Sequence, residues 1–433
     1  MSDKEPIRSG RESSLTPYRV LDLTEGGLNL AGKLLADLGA DVLRIEPPSG
    51  SSTRCQGPFY RDEIHPEKSL FWFAFNLNKR GITLNIATRY GRELLLELAR
   101  RCDIIIESLG PGRLEELGLG YEALSQINPG LILSSVTPFG PDGPYAHFQA
   151  TDLVIWAISG VQAVTGDPDR APVRISVPMA EAIAGSFATA GIMHALWYRS
   201  RTGLGQRVDV SEQIAAVWTN MAQSAHGFEG VARHREGEDH TVTVDSGSFR
   251  MRDLYRCKDG YVSYFSMQGH WGAQFHRRLA SWMLEEGAAP DYFKDFDWEH
   301  WTPTLTLGRR SAQEAQEEVD RVEEPFARFF LTKTKEELFH RAVRDEIMLA
   351  PVLTNADLFH WEQLKAREFW VEVAHPEIDA TIHYPGPFAR FSETPVMYRR
   401  RAPLIGEHNR EVYVDELGHG VQELVLWRSA GVI

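Results

Sequence analysis

The first 140 or so residues of this 433-residue chain alternate apolar runs with amphipathic ones, and that alternation narrows the fold more than any other feature. R-V-L-D-L-T (19–24), D-V-L-R-I-E (41–46), D-I-I-I-E (103–107) and L-I-L-S-S-V (131–136) read as strands. Residues 30–38, 91–101, 114–117 and 121–128 carry helical spacing between them. Apolar strands separated by helices require a parallel sheet covered on both faces, because parallel neighbours are joined only by long crossovers. Right-handed crossovers then make the domain Rossmann-like.

Past about residue 220 the pattern changes. Residues 226–240 are polar and read as a surface linker, and 255–265 read as a hairpin with Asp259-Gly260 in its turn. Acidic helical sequence runs to about 345, and 345–369 reads as a short strand, a loop and a helix. Residues 384–408 are rich in Pro, Arg and Gly, and an amphipathic helix over 409–417 is expected to close the chain. The expected fold class is α/β, a Rossmann-like parallel-sheet large domain with a second, smaller α+β domain. The expected division is a disordered tail over 1–17, a large domain over 18–220 plus 390–433, and the smaller domain with its linkers over 225–389.

Charge and motifs exclude several functions. A formal net charge of -14 argues against a nucleic-acid partner, which calls for a basic face. It leaves room for an anionic ligand held by local Arg, Lys and helix N-termini. Cys55, Cys102 and Cys257 are odd in number and far apart, which implies no disulfide framework, no zinc spacing and a reducing cytoplasm. The N-terminus is polar and lacks the apolar core of a signal peptide. The long apolar run 182–198 is interrupted by Ser186, Thr189 and His194, so it reads as a buried core helix and not a membrane span. The chain has no G-x-x-x-x-G-K-[ST], no G-x-G-x-x-G after a strand, no G-x-S-x-G and no H-E-x-x-H, and its histidines lack metal-ligand spacing. Chemistry, then, is expected to be metal-free and carried by a carboxylate. Glu181 is the candidate: it opens seventeen residues without a charge, as either a helix-start charge or a nucleophile.

Eight segments, in order, resemble the family III CoA-transferases, the group that includes formyl-CoA:oxalate and carnitine CoA-transferases. They are V-L-D-L-T (20–24), L-L-A-D-L-G-A-D-V-L-R-I-E-P-P (34–48), N-K-R-G-I-T-L-N (78–85), L-G-P-G-R-L-E-E-L-G-L-G (109–120), N-P-G-L-I-L-S-S-V-T-P-F-G (128–140), T-D-L-V-I-W-A-I-S-G (151–160), R-S-R-T-G-L-G-Q-R-V-D-V (199–210) and A-P-L-I-G-E-H-N (402–409). The resemblance implies a Rossmann-like large domain, a smaller second domain and two subunits interlocked as a dimer. It also implies acyl-CoA and small carboxylic acid substrates, no permanently bound cofactor, and an Asp nucleophile whose position falls on Glu181. The family's CoA-contacting positions fall on Leu84, Asn85, Ile86 and Ala87, on Ser108, Leu109 and Gly110, on Glu116, and on Phe148, Gln149, Ala150 and Thr151.

This chain departs from the pattern in several places. Glu replaces Asp at the nucleophile position. The loop after Thr24 reads E-G-G-L-N-L, one residue short and without A-G-P. The glycine-rich substrate loop has only Gly247 as its nearest counterpart, and Thr151 stands where related racemases carry His. A glutamate is as competent as an aspartate to attack a thioester, but its extra methylene moves the oxygens by about 1 Å, a displacement that can cost on the order of 10²-fold. Activity therefore requires a roomier pocket or a shifted backbone.

Other residues can be read from chemistry and position. Arg44, Lys79 and Arg80 stand at or after strands and are expected to meet phosphate. Backbone N–H groups of the loop 24–30 are expected to hold an oxyanion. Trp72 with Phe71, Phe73 and Phe75 reads as core, and His147 and His194 as structural, His194 as a buried neutral ring. Two functions remain open. One is a cytoplasmic CoA-transferase moving CoA between carboxylic acids through Glu181. The other is a catalytically silent subunit of a heteromer, as in benzylsuccinate CoA-transferases with their two related subunits. The partner is accordingly a second copy or a related subunit, with no nucleic acid and no membrane.

Overall fold

The computed structural model describes residues 13–221, 237–244, 247–303 and 311–433. They fall into two compact units, one of Met1–Val161, Ile175–Met221 and Glu362–Ile433, the other of Gln162–Arg174 and Ala222–Trp361.

The larger unit is built on a six-stranded, fully parallel sheet. Its strands are β1 (Arg19–Leu23), β2 (Asp41–Glu46), β3 (Arg80–Thr83), β4 (Ile104–Glu107), β5 (Ile132–Thr137) and β6 (Arg207–Ser211). They lie in the order β3-β2-β1-β4-β5-β6. The four strands expected from apolar runs are its centre. The two edge strands escape that reading because β3 is four residues long and β6 alternates polar residues into R-V-D-V-S. The helices are α1 (Asn29–Asp37), α2 (Leu70–Asn76), α3 (Arg89–Ala99), α4 (Arg113–Glu116), α5 (Tyr121–Ile127), α6 (Asp152–Ile158), α7 (Met179–Thr202) and α8 (Glu212–Trp218).

Strand alternation sorts the core into two layers. Val20, Val42, Ile104, Ile106, Ile132 and Val136 pack with α1 and α7. Leu21, Leu43, Ile45, Ile105 and Leu133 pack with α3 and with Val412, Tyr413, Val432 and Ile433 near the C-terminus. Strand order reverses between β1 and β4, the place where a parallel sheet opens a crevice at its carboxyl edge. Of the four aromatics expected in the core, Trp72 and Phe73 are buried while Phe71 and Phe75 are half-buried.

α7 corrects one expectation. It is apolar all round but buries one face only, through Ala180, Ala184, Ala188, Ile192, Ala195 and Leu196. Phe187, Met193, Trp197 and Tyr198 are exposed, and so is the His194 ring, which bonds Ala190 O at 2.7 Å and is not buried as expected. The first half of the buried face is made of small residues because α7 runs close to α1 there: a Cβ on Gly185 would lie 3.3 Å from the Ala31 N atom and 3.4 Å from Leu28 O.

Residues 13–17, expected to be part of a tail, are packed; Leu15 is buried and its N–H donates to Leu38 O at 3.0 Å. The smaller unit carries β7 (Asp239–Val244), β8 (Gly247–Arg252), β9 (Leu254–Cys257), β10 (Gly260–Tyr264) and β11 (Leu349–Pro351). Its helices are α9 (Gly269–Glu285), α10 (Ala312–Phe330), α11 (Lys335–Asp345) and α12 (Asn355–His360). The expected hairpin is β9–β10, but Gly260 pairs with Cys257, so the turn is Lys258-Asp259 and Gly260 opens the second strand. The expected linker 226–240 lies mostly outside the described residues, and its last two join β7. Gly247 opens β8, while Asp245 and Ser246 lie outside the described residues. An aromatic core surrounds His276, whose Nδ1 accepts from the Tyr264 hydroxyl at 2.5 Å and whose Nε2 donates to Met267 O at 2.8 Å.

The chain returns to the larger unit with α13 (Glu362–Ala366) and the antiparallel pair β12 (Trp370–His375) and β13 (Ala380–Pro385). The expected final helix is a single π-helical stretch, Glu411–Glu416; a further helix, α14 (Val421–Ser429), follows it. α14 is apolar on several sides, which hides it from a reading of amphipathic period.

The α7–α1 contact is testable. Gly185→Val puts a branched side chain against the backbone of Ala31, and overpacking of this kind costs roughly 1–3 kcal/mol. The melting temperature should fall by several degrees. An unchanged melting temperature would mean that α7 moves off α1 freely.

Candidate active site

The site starts where β1 leaves the sheet as D-L-T-E-G-G-L (22–28). Asp22 is fully buried; Lys79 Nζ donates to its Oδ2 at 2.8 Å, the Arg44 guanidinium stands 3.7 Å from Oδ1, and the Thr24 hydroxyl donates to Oδ1 at 2.6 Å. Burial opposes the charge on Asp22, but Lys79 and Arg44 outweigh it and hold the carboxyl below its ordinary value. Lys79 spends its other donors on Asn29 O at 2.8 Å and Asn76 Oδ1 at 2.9 Å. All three partners are acceptors, so the side chain is the ammonium.

Arg44 reaches Asp22 O at 3.1 Å, Glu25 Oε1 at 2.9 Å and Ser51 Oγ at 3.1 Å. Glu25 also accepts from the hydroxyls of Ser51, Ser52 and Thr53 at 2.5, 2.7 and 3.1 Å. Burial would raise its pKa, but Arg44 and these hydroxyls bring it below the ordinary value.

These bonds leave one N–H of the loop aimed at Glu181. The Thr24 N–H goes to Asp22 Oδ1 at 3.0 Å, that of Glu25 to Ser108 Oγ at 3.0 Å and that of Gly26 to Thr53 Oγ1 at 2.9 Å. The Gly27 N–H donates to Glu181 Oε2 at 2.5 Å. Both glycines are required by this contact. Gly26 has φ +59°, and a Cβ there would collide with Oε2; a Cβ on Gly27 would lie 3.0 Å from the Glu181 Cβ. The pair thus provides the room that the longer carboxylate needs.

Glu181 lies in the first turn of α7, whose start is tied to α6 by the Ala180 N–H donating to Asp152 Oδ1 at 2.8 Å. Burial raises the Glu181 pKa; the Gly27 N–H opposes the rise and the Asp152 charge adds to it. A third carboxyl, Glu212 at the start of α8, is raised to about 7 by burial, then by Glu181 and Asp152.

The segments expected to contact CoA follow β3, β4 and β5 at the same carboxyl edge of the sheet. Leu84 is buried in the core. Asn85 bonds the last residues of the chain, its N–H donating to Val432 O at 2.7 Å and its Nδ2 to Gly431 O at 3.2 Å, while Ile86 is half-buried and Ala87 exposed. Ser108 links to the first loop through Glu25, and Leu109 is exposed. Gly110 and Gly112 have φ +100° and +76°, and a Cβ on either would meet nothing within 4 Å, so this turn faces open space. Phe148, Gln149 and Thr151 are exposed, Ala150 is half-buried, and Glu116 is exposed and paired with Arg113 at 2.8 Å.

The three cations expected at the crevice rim lie inside the protein. Arg44 and Lys79 are fully buried in the Asp22 cluster. Arg80 is held by Asp41 at 2.6 and 2.9 Å, by Glu411 at 2.7 Å and by Glu416. Among the described residues no group of three or more His, Cys, Asp or Glu has metal-binding geometry, and no helix is long and apolar enough to cross a membrane.

The description CoA-transferase family III matches residues 15–409. The chain belongs to that family, and it is an enzyme of the CoA-transferase class. Among its relatives is the succinyl-CoA:(R)-benzylsuccinate CoA-transferase subunit BbsE of Thauera aromatica, 34% identical over 400 residues that cover 92% of this chain and 93% of that one. A formyl-CoA:oxalate CoA-transferase of Streptomyces coelicolor is 32% identical and covers 97% of this chain and 99% of its own. A solved structure of a CAIB/BAIF family protein from Brucella suis superposes with a TM-score of 0.77 at 26% identity, covering 94% of this chain and all of that one.

Within this family III enzyme, reading the sequence named the N–H groups of the loop 24–30 but missed the fit of Gly26 and Gly27 to Glu181, and it missed Asp152 and Glu212. The part of the glycines depends on what faces them across 154 positions of sequence. Asp152 and Glu212 each open a short helix, where an acidic residue has an ordinary explanation in the helix dipole.

The glycine pair can be tested directly. Gly26→Ala should leave the fold intact but move the Glu181 carboxylate, and CoA-transfer activity should fall on the order of 10²-fold. Full activity in this variant would mean that the observed position of the carboxylate is not the working one.

Proposed function

We propose that this chain transfers CoA between two carboxylic acids with Glu181 as its nucleophile. The observation that carries this reading is the bond from the Gly27 N–H to Glu181 Oε2, across a glycine pair that leaves space for a glutamate. One carboxylate oxygen is fixed and the other is free to attack.

In this reading Glu181 adds to the thioester carbonyl carbon of the donor, the C–S bond breaks, and a mixed anhydride and CoA thiolate result. The thiolate attacks the Glu181 carbonyl carbon and releases the donor acid as its carboxylate, leaving a glutamyl-CoA thioester. The acceptor carboxylate attacks that thioester and expels the thiolate, which then attacks the acceptor's acyl carbon and frees Glu181. Two of these four steps pass through a tetrahedral centre on Glu181 itself. The Gly27 N–H, already at Oε2, stands where the charge on that centre develops. Because Glu181 must be ionised to attack and its pKa is raised by burial, the first step should slow on the acid side at a pH above that of an exposed carboxyl.

The CoA portion is assigned to the carboxyl edge of the larger unit, as its CoA-binding domain. Asn85, Ile86, Ala87, the open turn 108–110 and the exposed segment 148–151 are the contacts proposed there. Lys79 and Arg80 serve this site as supports, through their internal ion pairs. Succinyl-CoA and formyl-CoA, which occur in the names of the relatives, are the donors to try first.

A second reading is favoured by the BbsE relative, a named subunit, and by the exposed apolar side chains of α7 and α8. Phe187, Met193, Trp197, Ile214 and Trp218 would be covered by another copy or by a related subunit. The chain would then supply structure to a partner that carries the chemistry.

Intact mass of the full chain after incubation with acyl-CoAs, with borohydride trapping, separates the two readings. A CoA-derived adduct on the Glu181 peptide is expected, and Glu181→Gln should abolish it and lower transfer activity by at least about 10³-fold. A folded chain that binds CoA and never forms the adduct is the silent subunit.

A further inference from the structure

Glu212 is 7 % exposed, opens α8, and makes no hydrogen bond or ion pair among the described residues. Its position is nevertheless well determined. The Ser211 side chain accepts the Ile214 N–H at 3.3 Å and donates to Pro138 O at 3.2 Å; the Gln213 N–H also donates to Pro138 O, at 3.0 Å, and the Gln213 side chain reaches Ile158 O at 3.2 Å. α7 is tied to α6 through Asp152 and Ala180. The starts of α6, α7 and α8 therefore meet over one apolar floor, Ile155, Trp156, Ala180 and Ala216. Each brings a carboxyl: Asp152, Glu181 and Glu212. Trp156 Nε1, in the same junction, is a buried donor without a partner.

The charged groups that act on Glu212 are both negative. From α7 comes Glu181 and from α6 comes Asp152. On β6, Asp209 and Arg207 act on each other, and Arg207 also stands 3.7 Å from Glu115. With no cation to offset burial, the neutral acid is the favoured form.

Resting on the reading of Glu181 as nucleophile, we propose that Glu212 is a positioning residue for the acceptor half of the reaction, a neutral O–H donor that admits a second carboxylate to the three-helix junction and, once ionised, repels it. The reaction requires a free carboxylate to approach Glu181 to bonding distance. Asp152 already opposes that approach. A second fixed negative charge would oppose it further, whereas a neutral carboxyl donates a charge-assisted hydrogen bond to the incoming oxygen. No proton is consumed: it stays on Glu212 or is shared during the encounter. The ionisation lies within the working range, because burial, Glu181 and Asp152 bring it to about 7.

The test uses the full chain in two stages. Glu181 is first loaded from succinyl-CoA, formyl-CoA or acetyl-CoA and the adduct measured by mass. The loaded enzyme is then discharged with succinate between pH 6 and pH 8.5, following new succinyl-CoA. In the adduct Glu181 cannot titrate, so the discharge profile reports its surroundings. The adduct removes the Glu181 charge that helps raise Glu212, so in the loaded enzyme Glu212 titrates no higher than about 7, and the wild-type discharge rate should fall at least about thirtyfold across this range. Glu212→Gln keeps a donor and cannot ionise, so its rate should change by less than about threefold. Glu212→Leu should be slow throughout and equally flat. A pH-independent wild-type discharge, or the same fall in wild type and Glu212→Gln, overturns the proposal while leaving the nucleophile in place. Failure of every donor to load a chain that binds CoA overturns the nucleophile and this proposal together.

Discussion

The arrangement of this site depends on one buried charge. Asp22, next to last in the central strand β1, has Lys79 and Arg44 against it. Neither cation faces solvent, and removing one member of such a cluster typically costs 3–5 kcal/mol because the remaining charge is stranded. The cluster does more than compensate charge. Arg44 extends from Asp22 to Glu25, Glu25 gathers the hydroxyls of 51–53, and Thr53 takes the N–H of Gly26. Each bond removes one way in which the loop after β1 could turn. What is left is a single free N–H, pointing at α7.

The sheet sets the other half of the geometry. Crossovers of a parallel sheet return every loop to the same edge, so segments 80 and 150 residues apart in sequence open on one crevice. α7 reaches that crevice only because the first half of its buried face is Ala and Gly (Ala180, Ala184, Gly185, Ala188), which lets its backbone approach α1 and the first loop. A helix with Leu at those positions would stand farther off and take Glu181 with it. Small residues in a helix, poor in buried area, here fix a distance.

Much of this was legible in the sequence, for physical reasons that also explain the rest. The four central strands are visible because both their faces are buried, which favours apolar residues on both faces along most of their length. β3 and β6 lie at the edges, where one side of the constraint is relaxed, and neither stood out. Glu181 was found by its isolation in an uncharged run and by its register with the family pattern. Lys79 and Arg80 were expected to meet phosphate, but sequence could not say that acidic partners wait for them inside: Asp22 is 57 positions from Lys79, and Glu411 is 331 from Arg80. The reading of α7 as wholly buried came from its all-round apolar composition. Such a composition constrains what the helix can bury in total, and not how much of that lies within its own chain.

The contact between Glu181 and the glycine pair makes three positions behave as one. A shorter carboxylate at 181 would draw back from the Gly27 N–H, and a side chain at 26 or 27 would occupy the space that the longer one fills. Each change is harmful in the background of the others as they stand. A route from this site to an aspartate site, in the laboratory or in descent, therefore has no neutral single step through these positions: the loop and residue 181 must be exchanged as a unit.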